Sequence, residues 1–257
     1  MRLDLALVER ALAKSRTRSA SLIRSGAVSL NGVVVTKPAA EVSEGDRIEI
    51  TGEDHPYVGR GGLKLEAALA EFRVDPAGLV CADIGASTGG FTDCLLKRGA
   101  ARVYAVDAGH DQLDPVLRED PRVLNREGVN ARTLNQTVIP EPCALAVLDL
   151  SFVSQTLVLP ALKSVLAEHA DYIGLIKPQF ECGREALGKG GVVRDRRQHV
   201  AAIRKVLGSL EENGFGARSL MRSPVRGGDG NTEFLVHARL GEPCSVHETT
   251  IREVTHE

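Results

Sequence analysis

The 257-residue chain lacks a large net charge, a membrane-length apolar run and a paired set of cysteines. Lys plus Arg number 32 against 34 Asp plus Glu, so the formal charge is -2 and the total points to no polyanionic partner. No apolar run approaches the roughly 18–20 residues of a bilayer span, and charges throughout the first twenty positions exclude an apolar signal core. A cytoplasmic chain is therefore expected. Cys81, Cys94, Cys143, Cys182 and Cys244 are scattered, odd in number and without a C-x-x-C pair, so neither a disulfide frame nor a zinc site is expected. What is present is an ordinary globular composition, 43% apolar and 26% charged, at a length that suits one large domain or two modest ones.

The charge missing in total is present locally. Residues 1–30 hold Arg2, Arg10, Lys14, Arg16, Arg18 and Arg24 against Asp4 and Glu9, whereas residues 41–54 carry six acids and one arginine. Leu5, Val8, Ala11 and Leu12 share a helical face, and Ser15 with Thr17 can cap a second helix through Ala20, Leu22 and Ile23 that stops at Gly26. Asn31-Gly32, between two β-prone runs, specifies a type I′ hairpin, and Ile48 with Ile50 supplies a further strand. Arginines on adjacent helices suit phosphate oxygens because the guanidinium presents a planar fork of donors. A charge run alone describes a solvated helical face equally well.

Gly59-Arg60-Gly61-Gly62 reads as a linker and sets a domain boundary near residues 55–60. Leu65, Ala68, Leu69 and Phe72 then recur at helical spacing, with Lys64 beside the apolar stripe. Strands are predicted at 79–84, 102–107, 144–150 and 172–176, alternating with helices at 91–97 and 161–168. A helix at 199–210 and runs at 219–224 and 234–240 complete the pattern. Such alternation means an α/β fold, a Rossmann-like parallel sheet covered on both faces.

After the first of these strands, Gly85, Ala86, Ser87, Thr88, Gly89 and Gly90 form a turn into a helix, where a ligand can approach backbone N–H groups. Asp107 ends the next strand about 20 residues on, where a carboxylate can accept ribose hydroxyls. The second glycine of the dinucleotide fingerprint is absent, since position 87 is serine. A pyrophosphate requires that glycine and S-adenosylmethionine does not, and Asp83 occupies the place of the acid that methyltransferases keep near the methionine amino group. An S-adenosylmethionine site is expected, with an NAD-dependent oxidoreductase as the rival.

Two acceptor motifs are also missing. Leu148-Asp149-Leu150-Ser151-Phe152 lacks the paired prolines that accompany methylation of base nitrogens. Pro142-Cys143 precedes its strand, at the wrong end of the sheet for a cytosine C5 nucleophile, so Cys143 is expected to pack. Asp149, Lys177 and Glu233 remain at strand ends, joined by Lys64 from the helix before the sheet. Residues 184–226, which include Arg184 and Lys189, carry ten basic residues against four acids and are expected to meet RNA backbone.

Arg2-Leu3-Asp4, Ser15-Arg16-Thr17-Arg18-Ser19-Ala20, Gly26-Ala27-Val28, Asn31-Gly32 and Gly45-Asp46-Arg47-Ile48 resemble the RNA-binding domain of ribosomal small-subunit protein four. Lys64, Asp149, Lys177 and Glu233, in that order, resemble the set of the FtsJ-related ribose 2′-O-methyltransferases. With Tyr57-Val58-Gly59-Arg60-Gly61-Gly62-Leu63-Lys64-Leu65 at the junction, residues 1–240 resemble the TlyA (haemolysin A) family. The resemblance implies a small N-terminal α+β RNA-binding domain (1–58), a class I methyltransferase domain (59–240) and a polar tail (241–257). It implies ribosomal RNA or a ribosomal subunit as partner, gripped by Arg2, Arg16, Arg18, Arg24 and Arg60, with no membrane and no obligate protein partner. The cofactor residues would be Asp83, the turn 85–90, Asp107 and Asp149.

A ribose hydroxyl is a poor nucleophile until a base shares its proton. Lys177 is the expected base, Asp149 positions it and faces the sulfonium, and Lys64 and Glu233 orient the hydroxyl. Two other readings are weighed. A membrane-lysing protein, as the older family name implies, needs a span or a strongly amphipathic apolar helix, and neither is present. A non-catalytic RNA-binding or assembly factor would have no reason to keep all four ionisable residues.

Overall fold

In the computed structural model the described residues are 1–13, 16–24, 26–50, 55–227 and 230–256. Ser15 falls outside them, as do the side chains of Thr17, Arg18, Arg184 and Lys189. Helices α1 (Leu3–Glu9) and α2 (Arg16–Arg24) share a core with a three-stranded antiparallel sheet of β1 (Val28–Leu30), β2 (Val33–Val34) and β3 (Ile48–Ile50). Asn31 and Gly32 have φ of 52° and 81°, so both centre residues of the β1–β2 turn are left-handed, as a type I′ turn demands. Leu3, Leu7, Ile23 and Val28 are fully buried between the helices and the sheet.

Beyond the junction, α3 (Gly61–Phe72) precedes a seven-stranded sheet. Its elements are β4 (Val80–Ile84), α4 (Gly90–Lys97), β5 (Arg102–Asp107), α5 (Pro115–Arg118), β6 (Val123–Glu127), β7 (Cys143–Leu148), α6 (Leu159–Leu162), β8 (Leu166–Ile176), α7 (Pro178–Glu181), α8 (Arg196–Glu212), β9 (Phe215–Arg222) and β10 (Phe234–Leu240). The strand order is β6-β5-β4-β7-β8-β10-β9, with the first five mutually parallel and β10 antiparallel to both neighbours. Successive strand residues feed opposite faces: Val147 and Leu235 join the core under α3 and α4, while Leu148 and Phe234 join the core under α8. The chain leaves β4 toward β5 and later returns on its other side at β7, so a crevice opens between their carboxyl ends.

Four expectations are corrected. The apolar face expected from Leu5, Val8, Ala11 and Leu12 is not the packed one: α1 ends at Glu9 and buries Leu3, Ala6 and Leu7, while Leu5 and Val8 are exposed. The helix expected at 161–168 is the single turn α6 plus a 3-10 turn at Lys163–Val165, and residues 166–168 already belong to β8. The edge strand β6 was not expected. The strand expected to run to 150 stops at Leu148, which leaves Asp149 just beyond it. Within the polar tail, α9 (Glu248–Val254) packs on β9 and α8 and buries Ile251.

Candidate active site at the carboxyl ends of the central strands

The turn after β4 is built by left-handed residues, Gly85 at φ 86°, Ser87 at 48° and Gly89 at 94°. Gly85 is required by proximity as well as by φ, since a Cβ there would lie 2.6 Å from the Asp149 carbonyl oxygen. Asp107 holds the turn from the next strand, accepting from the Ser87 N–H at 2.8 Å and the Gly109 N–H at 2.7 Å. Behind the turn Asp83 is fully buried; Oδ2 accepts from Thr92 Oγ1 at 2.6 Å, and Oδ1 has no partner among the described residues. Burial pushes the Asp83 carboxyl up to about 7, against the hydrogen bond from Thr92. Glu127, at the end of β6, accepts from the N–H groups of Gln112, Leu113 and Asp111 at 2.8–3.1 Å. Its burial favours the neutral acid, but the Leu113 and Gln112 N–H groups outweigh that and hold it at about 2.

A cleft of about 320 Å³ opens in front of this turn, lined by Gly85, Ala86, Ser87, Thr88 and Gly90 together with Lys64, Asp149, Lys177 and Glu233. Asp83, Gly89 and Asp107, also expected at the cofactor, are not among its lining residues. The four ionisable groups form two pairs. Lys64 Nζ donates to Glu233 Oε2 at 2.6 Å, with both side chains almost fully buried. Lys177 Nζ lies 2.6 Å from Asp149 Oδ1, while its well-directed hydrogen bond goes to Ser151 Oγ at 3.0 Å. Gln179 Nε2 is 3.5 Å from Glu233 Oε1.

Both domains reach the cleft. Arg24 of α2 lines it and stands 4.0 Å from Asp114, which caps α5; Arg60 of the junction also lines it. Arg2 and Arg16 are instead anchored on the buried carboxylate of Asp4, whose pKa is lowered chiefly by the Arg2 hydrogen bond. Of the basic residues in 184–226, Arg196, Arg197, Arg204, Lys205, Arg218 and Arg222 hold protein partners, which leaves them less free for RNA than their count implied.

S-adenosylmethionine fits these residues. A glycine turn without a phosphate cradle admits a nucleoside, the buried unpartnered Asp83 Oδ1 suits an ammonium, and arginines and lysines at the mouth suit a carboxylate. The chain matches the family described as FtsJ-like methyltransferase over residues 57–240 and the S4 domain over residues 1–48. The 16S/23S rRNA (cytidine-2′-O)-methyltransferase TlyA of Mycobacterium tuberculosis is 40% identical over 256 residues, covering 99% of this chain and 96% of that protein. The chain belongs to the TlyA family of FtsJ-like methyltransferases. Hemolysin A of Brachyspira hyodysenteriae is 40% identical over 92% of this chain and 99% of its own. A solved Streptococcus thermophilus structure under the hemolysin name superposes with a TM-score of 0.79 at 39% identity, covering 99% of this chain and 94% of that one. Among the described residues, no helix is long and apolar enough to cross a membrane.

Several residues of this TlyA-family site were not picked out from the sequence. Phe152 is 91% exposed at φ 66°, a backbone setting that bulky residues rarely adopt, and its ring meets Phe180 at 5.2 Å. Asn231, fully buried, accepts from the Val193 N–H at 2.9 Å and donates to the Gly191 carbonyl, tying the glycine-bearing loop to the approach of Glu233. Ser151 and Phe152 stood in the sequence only as residues that are not proline. Their chemistry depends on a loop geometry that no periodicity encodes. Cys143 packs as expected: it is fully buried, and burial pushes its thiol up to about 12.

Proposed function

We propose that this chain transfers the methyl group of S-adenosylmethionine to a ribose 2′-hydroxyl of ribosomal RNA. The observation that carries the reading is the meeting of Lys64–Glu233 and Lys177–Asp149 in one cleft beside the 85–90 turn. Bound S-adenosylmethionine supplies a sulfonium-activated methyl group, so the chain has to align an acceptor and manage its proton. Lys177 Nζ, directed by Ser151 and Asp149, is the group assigned to share the proton of the acceptor hydroxyl. Lys64 and Glu233 offer a donor and an acceptor to hold the hydroxyl. The exposed Phe152 ring, braced on Phe180, gives a base drawn out of its helix a face to stack on. Arg24 and Arg60 add planar forks for the backbone phosphates on either side. The names of the relatives make a cytidine ribose the first nucleotide to test.

Tritium transfer from labelled S-adenosylmethionine to ribosomal subunits, with mapping of the modified position, is the deciding experiment. Label in ribose 2′-O-methyl groups is expected, and label confined to bases overturns the reading. Tight RNA binding without transfer would mark a non-catalytic assembly factor. Lys177→Arg keeps the charge but removes the usable base, and is expected to slow single-turnover transfer at least about 100-fold with little change in RNA affinity.

A further inference from the structure

The loop after β7 carries Asp149, Ser151 and Phe152, while the turn after β8 carries Lys177, Gln179 and Phe180. Their relative position fixes both the lysine and the exposed ring. Behind the cleft, the two segments are joined by Glu181, the last residue of α7 and only 5% exposed. Its Oε1 accepts from the Gln155 N–H at 2.9 Å, and its Oε2 accepts from Ser154 Oγ. Lys205 of α8 donates to the Glu181 carbonyl at 2.8 Å and places its ammonium 3.6 Å from Oε2. Gln155, itself buried, accepts from the Tyr172 hydroxyl and donates Nε2 to the Leu175 carbonyl at 3.3 Å.

We infer that Glu181 is a positioning residue for the transfer reaction: with Ser154, Gln155 and Lys205 it locks the Asp149–Phe152 loop against the Lys177–Phe180 turn. The inference rests on the methyl-transfer reading above and adds a residue that touches neither cofactor nor acceptor. Burying a carboxylate is unfavourable unless its lone pairs are filled, and here each oxygen is satisfied by the loop it holds. Every partner in the lock belongs to the chain itself, so its geometry draws on no group of the RNA. Glu181 lies four residues after Lys177 and Ser154 three after Ser151, so a shift at the lock moves the reacting groups directly.

The test compares Glu181→Ala with Glu181→Gln. The glutamine keeps the side-chain length, accepts from Gln155 N–H through its carbonyl and meets a rotated Ser154 hydroxyl through its amide. Single-turnover transfer is expected to fall about 30-fold in Glu181→Ala and no more than about threefold in Glu181→Gln. The dissociation constants for S-adenosylmethionine and for RNA should stay within about twofold in both. Hydrogen exchange at the Gln155 amide should accelerate in Glu181→Ala, a readout independent of activity. Should Glu181→Ala fail to fold, Ser154→Ala, which removes the contact to Glu181 Oε2 and the Oγ bonds to Thr156 but leaves the Gln155 N–H on Oε1, is expected to slow transfer several-fold with both affinities kept. Equal rates in wild type and Glu181→Ala, equal losses in both variants, or a loss that follows cofactor or RNA affinity would overturn the inference. Absence of transfer by the wild type would instead overturn the proposed function, with the Gln155 exchange still reporting on the lock.

Discussion

Lys64 and Glu233 are 6% and 2% exposed, so each buried charge depends on the other. Removing one partner strands the other, and Glu233→Ala is expected to destabilise the fold by about 3–5 kcal/mol, read as a lower urea midpoint at unchanged slope. A Lys64→Met, Glu233→Leu double variant should regain most of that stability while transfer stays lost. Asp83 makes a different kind of prediction. Its carboxyl, raised to about 7 by burial, is protonated at pH 6 and charged at pH 8, and an ammonium needs the charged form. S-adenosylmethionine binding should expel a proton and be roughly tenfold weaker at pH 6 than at pH 7.5; isothermal titration measures both effects, and Asp83→Asn should abolish them. The same raised pKa means that Asp83 contributes most to the ligand-free fold at low pH, and that this contribution is lost as pH climbs through 7.

The loop between β5 and α5 shows how an element is held by its neighbours. Glu127, on the next strand, fixes it through three backbone N–H groups. Glu127→Gln leaves one carbonyl for those donors, so faster hydrogen exchange at 111–113 and about tenfold weaker S-adenosylmethionine binding are expected, with RNA affinity kept. That arrangement was hidden from sequence reading because β6, Val-Leu-Asn-Arg-Glu, buries only its first residue and carries no alternation. The strands β4, β5 and β10 were legible because the sheet buries most of each on both faces, so apolar residues predominate in them despite Asp83 and His237. Leu159-Pro160-Ala161-Leu162 mimics the start of a long helix, yet β8 begins only four residues later, at Leu166. The charged set was legible as residue types at strand ends. The pairing of Lys64 with Glu233 rather than with Asp149, and the Glu181 lock, were not, because they depend on contacts between distant segments.

The junction and the turn after β4 share a wall. A Cβ on Gly90 would lie 3.1 Å from the Gly59 carbonyl and from the Gly62 nitrogen, and one on Gly62 would fall 2.3 Å from the Tyr57 ring. The junction is thus packed directly against the 85–90 turn. Gly62→Ala must displace Tyr57, and is expected to cost about 1–3 kcal/mol of stability and to weaken S-adenosylmethionine binding in the same variant, measured by thermal shift and titration. The whole-chain charge of -2 likewise says little about contact surfaces, since arginines of the first domain and of the junction reach the cleft of the second. The Lys64–Glu233 contact joins residues 169 positions apart, and β10, which follows Glu233, slots between β8 and β9. Seen along the time axis of translation, the lysine emerges early and waits for its acid until nearly the whole sheet has been synthesised. A nascent copy therefore has no finished cleft until β10 is in place.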